Sequence, residues 1–180
     1  MWRSEQHDAG EQMMIIRPER PQDRDAIQQI NIDAFADHPF SQQTEHLIVN
    51  ALRDAGALIV SLVAEDNGQI VGHIAFSPAL INGDDLNWFT LGPIAVSPNR
   101  QKQGIGSRMI EAGLDALRQL GANGCLLVGD PAYYLRFGFR HSPSLSVEHV
   151  PPEYFMCLPL AGEIPHGAVS HHPAFYVTAN

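Results

Sequence analysis

Residues 92–107, Gly92-Pro93-Ile94-Ala95-Val96-Ser97-Pro98-Asn99-Arg100-Gln101-Lys102-Gln103-Gly104-Ile105-Gly106-Ser107, constrain this chain more than any other stretch. They read as an interrupted strand that feeds a glycine turn, and the turn opens a helix. Gly104 and Gly106 let the main chain come close to a ligand, and the unpaired N–H groups at the helix start face it with the positive end of the helix dipole. A site for an anion, a phosphate above all, is thereby built from backbone alone. Any fold for the chain must bring a strand into this turn and carry a helix away from it.

The flanking patterns supply such a fold. Residues 13–17 read as a short strand. Residues 23–35 form a helix through Ile27, Ile30, Ala34 and Phe35, His38-Pro39 breaks it, and residues 44–55 resume helical spacing through Leu47, Ile48, Ala51 and Leu52. Strands at 58–65 and 70–77 flank Asn67-Gly68, the clearest hairpin signal present, and a turn at Asn82-Gly83-Asp84-Asp85 leads into a strand at 86–96. The helix at 104–120 places Ile105, Met109, Ile110, Gly113, Leu114 and Leu117 on one face. Residues 125–128 suit a buried parallel strand beside residues 91–96, reached by a right-handed crossover. A short helix at 131–137 and strands at 146–150 and 154–158 follow. Beyond residue 161 the chain is rich in Pro, Gly and His.

With 180 residues and 44% hydrophobic content, this is enough for one domain with a substantial core, expected over residues 13–160. Residues 1–12 are polar, lack the apolar core of a secretory signal and are expected to be a disordered tail. No apolar run is long enough to cross a bilayer, so no membrane partner is expected. Cys125 and Cys157 both lie in apolar runs, as free thiols of a reducing compartment do, which makes the cytoplasm the expected location. A net charge of −9 excludes a broad basic face for nucleic acid. An anionic ligand therefore needs local positive charge, and Arg100, Lys102 and Arg108 flank the turn.

Two phosphate-binding schemes fail. A P-loop needs Gly-Lys-Ser/Thr where this chain has Gly106-Ser107-Arg108, and a dinucleotide fold needs a longer glycine fingerprint within repeated βαβ units. The spacing Gln101-x-x-Gly104-x-Gly106 instead resembles the pyrophosphate loop of the GNAT family of N-acetyltransferases. The resemblance extends over about residues 13–160 in element order. It implies an α/β (α+β) single-domain fold, with a mixed, mostly antiparallel sheet of about seven strands flanked by helices and splayed between the fourth and fifth strands.

The second part of the resemblance is Gly92-Pro93, because proline cannot donate to a ladder and marks a bulge or splay. In this family the arm of acetyl-CoA, the co-substrate, lies along that strand. By position, the resemblance implies that the Ile94 N–H polarises the thioester carbonyl and that Val96 anchors the pantetheine, with Ala95 between them. It also implies that Gln101, Lys102, Gln103, Gly104, Ile105, Gly106 and Ser107 hold the pyrophosphate.

The third part is Tyr134-x-x-x-Gly138-Phe139, which resembles the family's short helix whose tyrosine protonates the departing thiolate and makes Tyr134 the candidate general acid. Tyr133 is expected to pack. The run Gly-Asp-Pro-x-Tyr-Tyr-x-Arg-Phe-Gly-Phe from Gly129 looks like a subgroup of bacterial predicted acetyltransferases. It departs from the commoner pattern, an asparagine at the strand end and a longer approach to the tyrosine.

The resemblance thus implies an acyltransferase that moves an acetyl group from acetyl-CoA to a primary amine, of a small molecule or a protein, by direct attack in a ternary complex. The alternative is a non-catalytic acyl-CoA-binding or regulatory module, motivated by the lack of an evident base. Asp33, Asp37, His38, Glu45 and His73 have suitable chemistry, but none is marked out. His166, His171 and His172 are unaccompanied by cysteines or paired carboxylates, so no metal is expected. The extension at 161–180 is expected to fold over the sheet and shape the acceptor pocket. Exposed edge strands of an open sheet admit a homodimer.

Overall fold

Two Asn-Gly pairs set the topology. In Asn67-Gly68 both residues have positive φ, 50° and 78°, and in Asn82-Gly83 the values are 53° and 80°, so each pair closes a two-residue type I′ hairpin whose twist matches its strands. They join β2 (Val60–Asp66), β3 (Gln69–Ile81) and β4 (Asp84–Val96) into an antiparallel meander. The second turn is tighter than the sequence implies, since Ile81 pairs with Asp84 and both aspartates belong to the strand side.

The computed structural model describes residues 14–179, so the expected tail at 1–12 lies outside the described residues. β1 (Ile15–Pro18) pairs with β2, α1 (Arg24–Phe35) and α2 (Glu45–Asp54) follow, and α3 (Ile105–Gln119) leaves the glycine turn. After α3 come β5 (Gly124–Val128), α4 (Pro131–Tyr134), β6 (Leu145–Ser146), β7 (Phe155–Pro159) and β8 (Gly167–Ser170). The main sheet runs β1-β2-β3-β4-β5-β7, antiparallel except where β5 runs parallel to β4.

Strand alternation divides the core into two layers. Leu62, Ala64, Ile74, Phe76, Phe89 and Leu91 face α3, which meets them with Ile105, Met109, Ile110, Leu114 and Leu117, the face expected from the sequence. Gly113 sits at the closest approach of this helix to the sheet, where a Cβ would lie 2.3 Å from the Phe76 ring. On the opposite face Val63 packs with Ile27 and Val49, and Trp88 packs with Ala79, Leu126, Phe155 and Val169.

The sheet agrees with the expected count of about seven, the extension contributing β8 as the eighth strand among the described residues, and two local expectations are corrected. β4 occupies one edge of β3 as far as Ile81, and β2 stops opposite Phe76, so the tail pairs at Leu80 and Ile81 along the edge that β2 leaves open. The expected strand at 146–150 shrinks to Leu145–Ser146, which pairs with β8, and His149 at φ 63° turns the chain away. Finally, β5 lies beside Trp88, Phe89 and Thr90 and not beside residues 91–96.

Candidate active site

That last correction creates the site. β4 and β5 share only three pairs, Trp88↔Gly124, Phe89↔Cys125 and Thr90↔Leu126, and then part. On the other edge of β4, Ile74 pairs with Ile94 and Phe76 with Leu91, so β4 carries one extra residue over this span, a bulge at Gly92-Pro93. Gly92 has φ 137°, a conformation open to glycine, and proline supplies no donor. The sequence expected both the bulge and the splay between the fourth and fifth strands.

Beyond the fork, alternation decides which way the amides of β4 point. Ser97 N–H donates to the Val71 carbonyl at 2.9 Å, which turns residues 95 and 97 toward β3. Ile94 and Val96 therefore present their peptide groups to the edge that β5 has left. Their side chains still pack, half-buried, against the α3 layer.

The strand ends in the glycine turn. Lys102 and Gly104 have φ 62° and 81°, and Gly104 is the N-cap of α3 with no side chain bonded to the helix end. Arg108 N–H is the first to bond back, to Gly104, which leaves the amides of Ile105, Gly106 and Ser107 without helical partners. Residues 101–104 are exposed, as an anion cradle must be. The Gln101 side chain donates to the Val96 carbonyl at 3.1 Å and so ties the turn to the strand end.

The three expected cations differ in their engagement. Arg100 pairs with Asp66 at 2.6 Å and Arg108 donates to the Met14 carbonyl at 3.0 Å, whereas Lys102 makes no ion pair among the described residues. One contact was not foreseen. The Tyr133 phenol lies 3.5 Å from Ser107 Oγ, and a Cβ on Gly106 would come within 3.1 Å of the same oxygen. The packing residue of the sequence reading thus reaches the first turn of α3, and a side chain at 106 would press on its phenol oxygen.

Asp130 starts α4 by accepting from the Ala132 N–H at 2.9 Å, with Pro131 in the first turn. Tyr134 is thereby laid over the end of β5, so close that a Cβ at Gly129 would lie 2.5 Å from its ring, and Phe139 packs at 6.1 Å. Burial, and then the nearby Tyr133, Asp130 and Cys125, push the Tyr134 phenol up to about 12. It stays protonated throughout the physiological range.

The remaining candidates separate. His73 is fully buried on β3, bonded through Nε2 to Ser61 Oγ at 2.8 Å, and burial lowers it to about 4, so it is a neutral core residue. Asp33 is exposed and accepts from Gln29. Asp37 and His38 are exposed in the loop after α1. Glu45 accepts from Ser41 Oγ while its Oε2 is buried with no partner among the described residues. Nearby, a recess between α1 and α2 is lined by Asn31, Ile32, Phe35 and His46, and Asn31 Oδ1 is likewise buried with no partner among the described residues.

The histidines of the extension do not cluster. No group of three or more His, Cys, Asp or Glu among the described residues could hold a metal. His172 Nδ1 accepts from the Ala174 N–H at 3.1 Å. His171 instead reaches β4, its Nδ1 standing 2.8 Å from Thr90 Oγ1. That pair was invisible to sequence reasoning, since residues 90 and 171 are joined only through β8.

The comparisons fit this geometry. Residues 58–141 match the model of the acetyltransferase (GNAT) domain. The chain is 39% identical over 128 residues, 71% of its length and 74% of the other protein, to the uncharacterized N-acetyltransferase YhbS of Escherichia coli K12. A GNAT family acetyltransferase from Brucella melitensis, solved in complex with acetyl-CoA, is 48% identical with a TM-score of 0.83, covering 91% of this chain and 99% of that one. The structure of Escherichia coli YhbS in complex with CoA also has a TM-score of 0.83, at 32% identity, covering 97% of this chain and 98% of that one. No helix of the described residues is long and apolar enough to cross a membrane.

Proposed function

The chain belongs to the GNAT family of acetyltransferases, and from that premise we propose that it acetylates a primary amine by direct attack on acetyl-CoA bound in the β4–β5 fork. It is an acetyl-CoA-dependent N-acetyltransferase and not a non-catalytic CoA-binding module. The single observation that carries the mechanism is the fork itself. Three ladder pairs followed by a bulge leave the Ile94 and Val96 N–H groups on an edge that β5 does not pair, directly upstream of a helix start with three N–H groups that lack helical partners.

In this reading the pyrophosphate rests on the turn of Gln101, Lys102, Gln103, Gly104, Ile105, Gly106 and Ser107. The helix dipole and the backbone N–H groups supply the attraction, and Lys102 adds charge. The pantetheine extends along Ile94, Ala95 and Val96 as a substitute for the missing strand pairing. The Ile94 N–H then faces the thioester oxygen and stabilises the oxyanion that forms on attack. Tyr134, neutral and near the end of β5, supplies a proton to the departing thiolate.

No covalent acyl-enzyme is needed. Burial raises both thiols, Cys125 and Cys157, away from the reactive thiolate form, which supports a ternary complex. The same buried free thiols support a cytoplasmic location, and the relatives from Escherichia coli and Brucella melitensis support a bacterial source. The acceptor is an amine of a small molecule or a protein, entering beside α1, α2 and the extension, and the open edge at β1 admits a homodimer. Thiol release from acetyl-CoA with a panel of primary amines tests the reaction. Sustained, amine-dependent release is the expected result, and acetyl-CoA binding without release for any amine overturns it.

A further inference from the structure

The reaction proposed above takes two protons from the acceptor ammonium, and Tyr134 serves only the sulfur. This inference rests on that reading and concerns the nitrogen side. One face of the fork is closed by α3 and α4, whose Tyr133 and Tyr134 pack with the α3 layer. The amine therefore approaches from the opposite face. Thr90 lies on that face, because Phe89 and Leu91 point to α3 and alternation turns residues 88 and 90 away. It is the last residue of β4 to pair with β5 and is only 3% exposed, so it stands where the strands part.

Opposite Thr90 stands His171. β8 is fixed at Leu80 and Ile81, and the Asn82 side chain grips the tail by donating to the His166 carbonyl and accepting from the Ala168 N–H, both at 3.0 Å. The next residue after β8 is His171, its ring 5.4 Å from that of Phe175. Nδ1 is engaged by Thr90. Nε2 has no hydrogen-bond partner among the described residues and is not sealed from solvent. We propose that His171, oriented by Thr90, is the proton acceptor of the reaction, taking the proton of the substrate ammonium at Nε2 through bridging water.

Thr90 is four residues from Ile94, at most about 13 Å along a strand and less across the bulge. The attacking amine and its water occupy that gap. When Nδ1 donates its proton to Thr90 Oγ1, Nε2 carries a free lone pair. The N–C bond forms as the C–S bond breaks. Of the two protons leaving nitrogen, one passes to His171 and then to solvent, and the other balances the proton that Tyr134 gives to sulfur. Burial alone lowers the proton affinity of His171, which keeps it neutral at pH 7. Glu45, His46, Arg53 and Asp54 of the adjacent α2, His172 and Tyr176 make no contribution to that shift.

The test uses the full chain, acetyl-CoA and the best acceptor from a primary-amine panel. For His171→Gln we expect kcat to fall about 100-fold at pH 7, in the range of general-base loss, with KM for acetyl-CoA unchanged. The acid limb of kcat/KM in the parent enzyme, centred below the ordinary imidazole value of about 6.5, disappears in the variant. Thr90→Val keeps the limb but loses about 10-fold in kcat, since the imidazole is still present and only its orientation is lost. Calorimetry with acetyl-CoA confirms that each variant is folded. If the parent turns over and His171→Gln retains both its rate and its acid limb, this proposal fails and the acetyltransfer reading stands. If the parent releases no thiol with any amine, both fail together.

Discussion

At the scale of single residues, the chemistry rests on groups whose protonation is set by burial. The Tyr134 phenol, raised to about 12, stays protonated across the physiological range, as the proposed role of proton donor to the departing thiolate requires. Tyr134→Phe is therefore expected to lower kcat by about 100-fold with the Kd for CoA changed less than twofold. Rate measurements and calorimetry on the variant decide this, and an unchanged rate removes Tyr134 from the mechanism. Because the group does not ionise until near pH 12, no basic limb below pH 10 should come from it. Gly106→Val tests the cradle. A side chain there pushes on the Tyr133 phenol and crowds the helix start, so CoA affinity should fall at least 10-fold while a Cβ-tolerant surface glycine would change nothing. Gly104, Gly106 and Tyr134 were legible in the sequence because their spacing is local. Thr90 and His171 were not, because their meeting depends on where a distant strand docks.

At the scale of elements, the sequence was most informative where hydrophobic period and turn chemistry agree. The two Asn-Gly hairpins and the buried face of α3 were readable for that reason. It was least informative in the extension, whose Pro, Gly and His content carries no periodicity. That segment is nonetheless part of the sheet. Gly167 has φ 151° and a Cβ there would lie 2.3 Å from the Asn82 side chain, so both backbone and space require glycine. Gly167→Ala is expected to cost about 2 kcal/mol, seen as a lower Tm, and to lower kcat as well by displacing His171. Truncation after Leu160 should be more severe, since Ala174 covers Ile48, Leu52 and Ala57 in a small cluster of its own. A truncated chain with unaltered Tm would show that β8 and the turn behind it add nothing to the fold.

At the scale of the whole molecule, acid stability follows from two buried ionisable sites. Asp23 is held below the usual carboxylate range by its hydrogen bonds from Arg17, which also pairs with Glu65. A depressed carboxylate stabilises fully above its unfolded value, about 3.9, and that stability is lost as pH falls through the folded value. His73 acts in a higher window. Neutral in the fold and lowered to about 4, it costs nothing above pH 6.5 and up to about 3 kcal/mol as pH falls from 6.5 to 4. Tm should therefore decline from about pH 6.5, with His73→Gln flattening this part of the curve and Asp23→Asn costing about 3 kcal/mol at pH 7 and progressively less as pH falls below the ordinary carboxylate value of about 3.9. The sequence by itself determined the strand, glycine turn and helix start proposed to hold the donor, because they are consecutive and an anion cradle of backbone N–H groups needs nothing else. Tertiary structure alone decided where along β4 the fork opens and what faces it. Where β5 leaves β4 and where residues 167–171 dock are settled by which strand edges remain open, a competition between distant segments that no local pattern records.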